Sequence, residues 1–129
     1  MRGGATRGAA KLVMPELSGS EKQVSWATDI LRSPFDTMGL RAKSLEKNAD
    51  VFDKTKKGSG ERERKEADAY KAAQRRYAQE VENLKKQFPS GMKASQVIFE
   101  KGRINTIANR IIQDEYKKRG FMAYEAGKV

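Results

Sequence analysis

The chain has 129 residues, of which 37% are hydrophobic and 34% are charged, and it contains neither cysteine nor histidine. Its length predicts a single domain, and the two missing residue types exclude disulfides, thiolate metal sites, cysteine nucleophiles and histidine-based catalytic triads. The formal charge of +10 favours polyanions or acidic protein surfaces as partners, and no membrane contact is expected because no apolar run approaches the roughly 18 residues of a membrane span.

The first 14 residues have the composition of a flexible basic arm. Arg2, Arg7 and Lys11 are separated mainly by glycine and alanine, and such a segment offers little apolar surface for folding. We therefore expect residues 1–14 to be disordered. In a nucleic-acid-binding protein, an arm of this kind can lie along the phosphate backbone, with Arg2 and Arg7 as the contacts.

A helix start is predicted at Ser18. Ser18 and Glu21 have the spacing of a capping box, in which each side chain accepts a hydrogen bond from a backbone amide. The apolar positions after this cap predict a helix over residues 18–32, with Trp26 and Ile30 as core anchors. The amides of a helix start can also hold a phosphate, although most capped starts bind nothing. The candidate residues for such a site are Gly19, Ser20 and Lys22.

One segment resembles a pattern of known proteins. Residues 19–30, GSEKQVSWATDI, are similar to the motif G-S-E-K-Q-(I/V)-x-W-A-x-x-I of small uncharacterised bacterial and phage proteins. Those proteins often carry a second helical segment, A-x-x-(W/I)-I, and residues 94–99, ASQVIF, are similar to it but lack its Trp. The resemblance implies no particular activity. It implies a phage or mobile-element context, and with it a cytoplasmic location in a bacterial host cell.

A second helix is predicted over residues 34–53. Ser33 has the position of its cap and Pro34 that of its first residue. Its apolar residues recur every three or four positions and are Phe35, Met38, Ala42, Leu45, Ala49 and Phe52. This spacing is typical of a helix packed in a bundle. The polar, basic linker at residues 54–60 then leads into an antiparallel helix, and a phosphate contact at this tip is the alternative to plain solvation.

The remaining chain predicts one long and two shorter helices. The long one covers residues 61–87, with a charged start and an apolar seam, and the others cover residues 93–101 and 105–119. Gly102 is the predicted break between the last two, and Asn105 the predicted cap. In outline this pair resembles a helix-turn-helix, although two consecutive packed helices are the common alternative. The residues that would then face a groove are Arg103, Asn105, Asn109 and Arg110.

Together these elements predict an all-α protein. We expect a small antiparallel bundle of four to five helices over residues 15–121, preceded by the flexible arm at 1–14 and followed by a loose tail at 122–129.

Positive charge is concentrated towards the C-terminal part of the chain. Residues 85–119 contain nine basic and three acidic residues, a net charge of +6. Neutralising phosphates releases counterions and drives binding to nucleic acid. The residues predicted to form the main phosphate-contacting face are Arg103, Arg110, Lys117 and Arg119, aided by Arg2 and Arg7 of the arm.

No residue pattern in the chain predicts catalysis, a metal site or a cofactor. We therefore expect a non-enzymatic, basic, helical binding protein of phage type that engages nucleic acid or a nucleoprotein complex. Such a protein could inhibit a host defence system such as a CRISPR effector. One alternative is a sequence-nonspecific DNA- or RNA-binding module without an inhibitory role. The other is a self-assembling helical protein, because the long apolar seams of two copies could pack against each other in a homodimer.

Overall fold

The computed structural model describes residues 10–129, and this part of the chain is mostly helical. The elements in chain order are β1 (Leu17–Ser18), α1 (Glu21–Thr55), α2 (Glu61–Gln87), β2 (Met92–Lys93), α3 (Ala94–Phe99) and α4 (Lys101–Lys118), followed by a 3-10 turn at Ala123–Glu125. The predicted all-α class is confirmed, and the bounds predicted for the long helix at 61–87 are confirmed as α2. Within residues 10–129, none of the helices combines the length and the apolarity needed to cross a bilayer.

Helix α1 is one continuous helix of 35 residues with Pro34 inside it. The prediction of two helices, 18–32 and 34–53, with Ser33 as a cap, is therefore wrong. A proline in a helix interior costs about 3 kcal/mol because it removes an amide donor and crowds the preceding turn. The buried stripe of α1 nevertheless continues in phase from Ile30 through Pro34 to Met38, so packing on the rest of the protein keeps both halves in line.

The start of α1 is capped by Ser20 and not by Ser18. Ser20 Oγ accepts from the amide of Gln23, and Gln23 Oε1 accepts from the amide of Ser20, both at 3.2 Å. Ser18 lies instead in β1, which pairs in parallel with β2, and Ser18 Oγ donates to the carbonyl of Met92 at 3.3 Å. This long-range pairing takes Ser18 out of the predicted helix.

Helices α1 and α2 run side by side in opposite directions. At one end the Tyr77 hydroxyl donates to the carbonyl of Leu31 at 2.6 Å, and at the other Arg64 pairs with Asp50 at 3.0 Å. The seam predicted for the C-terminal half of α1 faces α2, except that Phe52 is 45% exposed. The larger apolar core lies among α1, α2 and α4.

A second, smaller core joins the start of α1 to β2 and α3. Its buried members are Ala27, Ile30, Leu31, Met92, Ala94 and Val97. Trp26 is not among them and is 54% exposed, so its prediction as a core anchor is wrong. Each residue turns a helix by about 100°, so Trp26 lies about 100° from Ala27 and about 140° from Leu31. Because these two residues are buried in the second core, Trp26 points to the outer side of α1.

The last helix begins earlier than predicted, and the short helix before it ends earlier. Gly102 does not interrupt the helical structure but is the second residue of α4. Asn105 lies inside the same helix instead of capping it. The break falls at Glu100, whose amide donates to the carbonyls of Gln96 and Val97. This tight turn ends α3 after six residues.

Within residues 10–129, parts of both segments that we expected to be flexible contact the folded domain. Arg2 and Arg7 lie outside the described residues, and residues 10–14 have no regular structure but place Leu12 and Met14 against the core. At the other end, Arg41 donates to the carbonyl of Lys128 at 2.6 Å. In contrast to the expected loose tail, these last residues contact α1 and α4.

Candidate nucleic-acid interface

Three of the predicted phosphate-contacting residues share the solvent side of α4. Arg103, Arg110 and Lys117 are seven residues apart and all exposed. A helix turns by about 100° and rises by about 1.5 Å per residue, so successive members are rotated by only about 20° and separated by about 10 Å. Ala108 and Ile112, on the opposite side, are buried. The helix therefore presents a straight row of three cations, which we call the cation row.

The side chains of the cation row have few competing partners. Among residues 10–129, no carboxylate lies within ion-pair distance of Arg110 or Lys117. Arg103 lies 3.7 Å from Glu100, with 76% of the Arg103 side chain exposed. Exposed pairs of this kind contribute at most about 1 kcal/mol, so a phosphate group can compete for all three cations.

Arg119, the fourth predicted member, does not lie on the cation row. It is rotated by about 160° around α4 from Arg103, and its Nη1 donates to Glu115 Oε1 at 2.9 Å and to the Glu115 carbonyl at 3.0 Å. Asn105 and Asn109, expected to face a groove with Arg103, are also turned away. Asn109 Oδ1 accepts from the amide of Val129 at 2.7 Å.

Glu115 is the buried centre of an ion cluster behind the cation row. Its side chain is 5% exposed and accepts from Arg76 at 2.8 Å, from Lys118 at 3.0 Å and from Arg119 at 2.9 Å. Burial by itself would raise the pKa of Glu115, but these hydrogen bonds outweigh burial and lower the pKa to about 2. Arg76 also reaches Asp114, at 3.5 Å. The cluster ties α4 to α2 and so holds the cation row in place.

Sequence reasoning missed this cluster because Arg76 and Glu115 are 39 residues apart. The signal that could have found it is the position of Glu115 on the apolar side of the last helix, between Ile112 and Tyr116. A carboxylate among buried positions requires a cation from a neighbouring element.

The predicted phosphate site at the start of α1 has lost part of its donor set. The capping box uses the amides of Ser20 and Gln23, which would otherwise point towards an anion. Gly19 has a φ of +143°, and Lys22 is exposed in the first turn of α1. Gly19, Ser20 and Lys22 therefore form a well-capped helix start with few donors left for a ligand.

An apolar groove of about 370 Å³ borders the cation row at Arg103. Its floor includes Val81, Leu84, Phe88 and Ile104. Its polar rim consists of Glu80, Asn83, Gln87, Gln96, Glu100 and Arg103. A groove of this size can take a flat, partly apolar group and hydrogen-bond to its edges. The sequence did not predict it because its walls come from separate helices.

Among residues 10–129, no cluster of three or more acidic side chains is placed to hold a metal ion. No protein-family model matches the chain, and no curated protein or solved structure is significantly similar to it. The geometry of the cation row and its surroundings is therefore the basis for a functional assignment.

Proposed function

We propose that this protein is a non-enzymatic binding protein that holds nucleic acid along the cation row of α4. The observation that carries this proposal is the alignment of Arg103, Arg110 and Lys117 on one exposed, rigid helix face, with little competition from carboxylates. Lys and Arg side chains in such a row contact phosphates without reading base sequence. Arg2 and Arg7 are proposed to add contacts from the arm.

Single-stranded nucleic acid is the favoured ligand. The groove beside Arg103 has an apolar floor, and its rim combines amide side chains with Arg103 and two carboxylates, those of Glu80 and Glu100. A base can enter such a groove only when it is not stacked in a duplex. The groove would hold a base while Arg103 contacts the adjoining phosphate. A phage protein could also act on a nucleoprotein complex, for example by inhibiting a host defence effector. The support for this role is the resemblance of residues 19–30 to the motif of small bacterial and phage proteins.

The test is a fluorescence-anisotropy titration of the full chain with labelled single-stranded DNA, RNA and duplex DNA. Each neutralised phosphate of a single strand contributes about 0.7 to the slope of log affinity against log salt, so three contacts should weaken binding about 20-fold between about 50 and 200 mM salt. Arg110→Gln with Lys117→Gln should lower this salt slope by about 1.4. A preference for single strands is expected in the parent protein.

The matched control removes two exposed charges from the loop between α1 and α2. Lys56→Gln with Lys57→Gln lowers the net charge by two, as the double variant in α4 does. It also tests the phosphate contact that was predicted for the loop between α1 and α2. Binding to single strands should be nearly unchanged in this control. Equal losses in both double variants would show that net charge, and not the cation row, holds the ligand. Absence of binding at low salt would refute the proposal and leave a protein partner.

A further inference from the structure

The outer side of α1 carries apolar side chains that no element of the described chain covers. Trp26 is 54% exposed, Leu40 68% and Val51 55%. From their spacing, the three lie within about 40° of one another and extend over about 38 Å of helix. Ala42 and Ala49, which face α2, lie on the opposite side and are buried. We call the three exposed residues the outer stripe.

Small side chains occupy the positions between the members of the outer stripe. Ser33 and Ser44 are exposed and Thr37 is half-buried, and all three share its side of α1. In combination with Trp26, Leu40 and Val51 they recur every three or four residues between Ser33 and Ser44, and after seven residues at each end, as along a helix-packing seam. Short side chains at these positions allow a second helix to approach closely, because interaxial distance depends on the residues at the contact.

We propose that the outer stripe joins two copies of this chain, with their α1 helices antiparallel about a twofold axis. The midpoint between Trp26 and Val51 coincides with the midpoint of the helix, which extends from Glu21 to Thr55. An antiparallel pair centred there places Trp26 of one copy against Val51 of the other. It also places Leu40 against Thr37 and Ser33 against Ser44, so that one surface complements itself, as a twofold interface requires.

The charges beside the outer stripe favour the same arrangement. On one side of the stripe, acidic Asp29 and Asp36 flank its N-terminal half, and basic Lys43 and Lys47 flank its C-terminal half. Arg32 and Asp50 lie about 20° beyond Lys43, and each forms an ion pair within its own chain, with Asp36 and Arg64 respectively. Antiparallel pairing brings Asp36 of one copy to Lys43 of the other, and Asp29 to Lys47. A parallel pair would instead place like charges together, which is destabilising.

These four side chains are available for the pairing. Among residues 10–129, the only ion pair recorded for any of them joins Asp36 to Arg32 at 3.7 Å, with about half of each side chain exposed. Lys22 and Lys54 of opposite copies would approach each other at the ends of the pair, where both are exposed and solvent and salt screen the repulsion. The central charges therefore determine the orientation.

Trp26 reports directly on this interface because it is the only Trp in the chain. Sedimentation equilibrium of the full chain without nucleic acid should show a reversible dimer. The emission of Trp26 should shift to the blue over the same concentration range, since pairing removes its ring from water. A chain that remains monomeric to near-millimolar concentration would overturn the proposal.

Two substitutions locate the interface. Leu40→Lys removes apolar area and introduces like charges near the twofold axis, and should weaken dimerisation at least about 100-fold. Phe99→Lys is the matched control, because Phe99 on α3 is 86% exposed and lies off the outer stripe, and it should leave dimerisation unchanged. If the Phe99→Lys variant were monomeric while the Leu40→Lys variant still dimerised, the interface would lie away from the outer stripe and the proposal would be overturned.

Charge reversal tests the orientation. Asp36→Lys alone and Lys43→Asp alone should each weaken the dimer, because each places like charges opposite one another. The double variant restores the opposite pairing across the interface and should recover most of the parent affinity. Failure of the double variant to recover would contradict the antiparallel register. Binding of nucleic acid by α4 does not enter this measurement, so the two proposals fail independently.

Discussion

Glu115→Gln is the most informative perturbation of the fold, because it neutralises the centre of the buried ion cluster while preserving side-chain shape. Glu115 accepts hydrogen bonds from Arg76, Lys118 and Arg119 at 2.8–3.0 Å. A neutral amide cannot balance three cations, and it offers one acceptor oxygen instead of two. The substitution should therefore loosen the attachment of α4 to α2.

The magnitude follows from the pKa of Glu115. Hydrogen bonds to the carboxylate lower this pKa from 4.5 to about 2, against the opposing effect of burial. The shift corresponds to about 3 kcal/mol of folding free energy at neutral pH. Because the pKa is lower in the folded state, this contribution is complete above the unfolded pKa. It is lost as the pH falls from about 5 to about 2.

The assay is urea unfolding followed by far-UV circular dichroism at a series of pH values. At pH 7, Glu115→Gln should be about 3 kcal/mol less stable than the parent, and the difference should shrink to near zero at about pH 2. The control is Asp114→Asn, because Asp114 meets the same Arg76 but is 53% exposed, so its loss should cost at most about 1 kcal/mol. A difference between Glu115→Gln and the parent that stays constant with pH would refute the reasoning.

Two glycine substitutions test the helix bounds. A Cβ on Gly60 would lie 2.3 Å from the carbonyl oxygen of buried Ala49 and 2.7 Å from its Cα. Gly60→Ala should therefore force α1 and α2 apart at the loop, cost about 3 kcal/mol and lower the thermal midpoint; an unchanged midpoint would contradict this close approach. Gly102→Ala meets open space inside α4 and should stabilise the protein by about 0.5–1 kcal/mol in urea unfolding. A loss of stability in Gly102→Ala would instead indicate that the helix is interrupted at Gly102.

Helix α2 shows what periodicity could predict. Its seam has apolar residues at three- and four-residue spacing, and it is bounded by a glycine-containing linker and by Phe88-Pro89. Both signals are local, so the predicted range, 61–87, is confirmed. The outward position of Arg110 and Lys117 follows equally from the apolar positions of their own helix.

Proline and tryptophan show where local signals failed. Pro34 has the sequence context of a helix start, but the buried stripe extends across it and the packing of α1 on α2 outweighs its cost. Trp26 is a large aromatic residue of the kind expected in a core, and yet it lies on the outer side, because Ala27 and Leu31 occupy the side of α1 that packs on β2 and α3. In both cases the deciding partner lies on another helix.

The sequence by itself determined the all-α class, the extent of α2 and the exposure of three cations on the last helix, because each depends on spacing within a single segment. The tertiary structure alone decided the pairing of Leu17–Ser18 with Met92–Lys93, the ion pair between Arg76 and Glu115 and the exposure of the outer stripe. These features depend on contacts between residues far apart in the chain, and only packing specifies which of the sterically allowed contacts form.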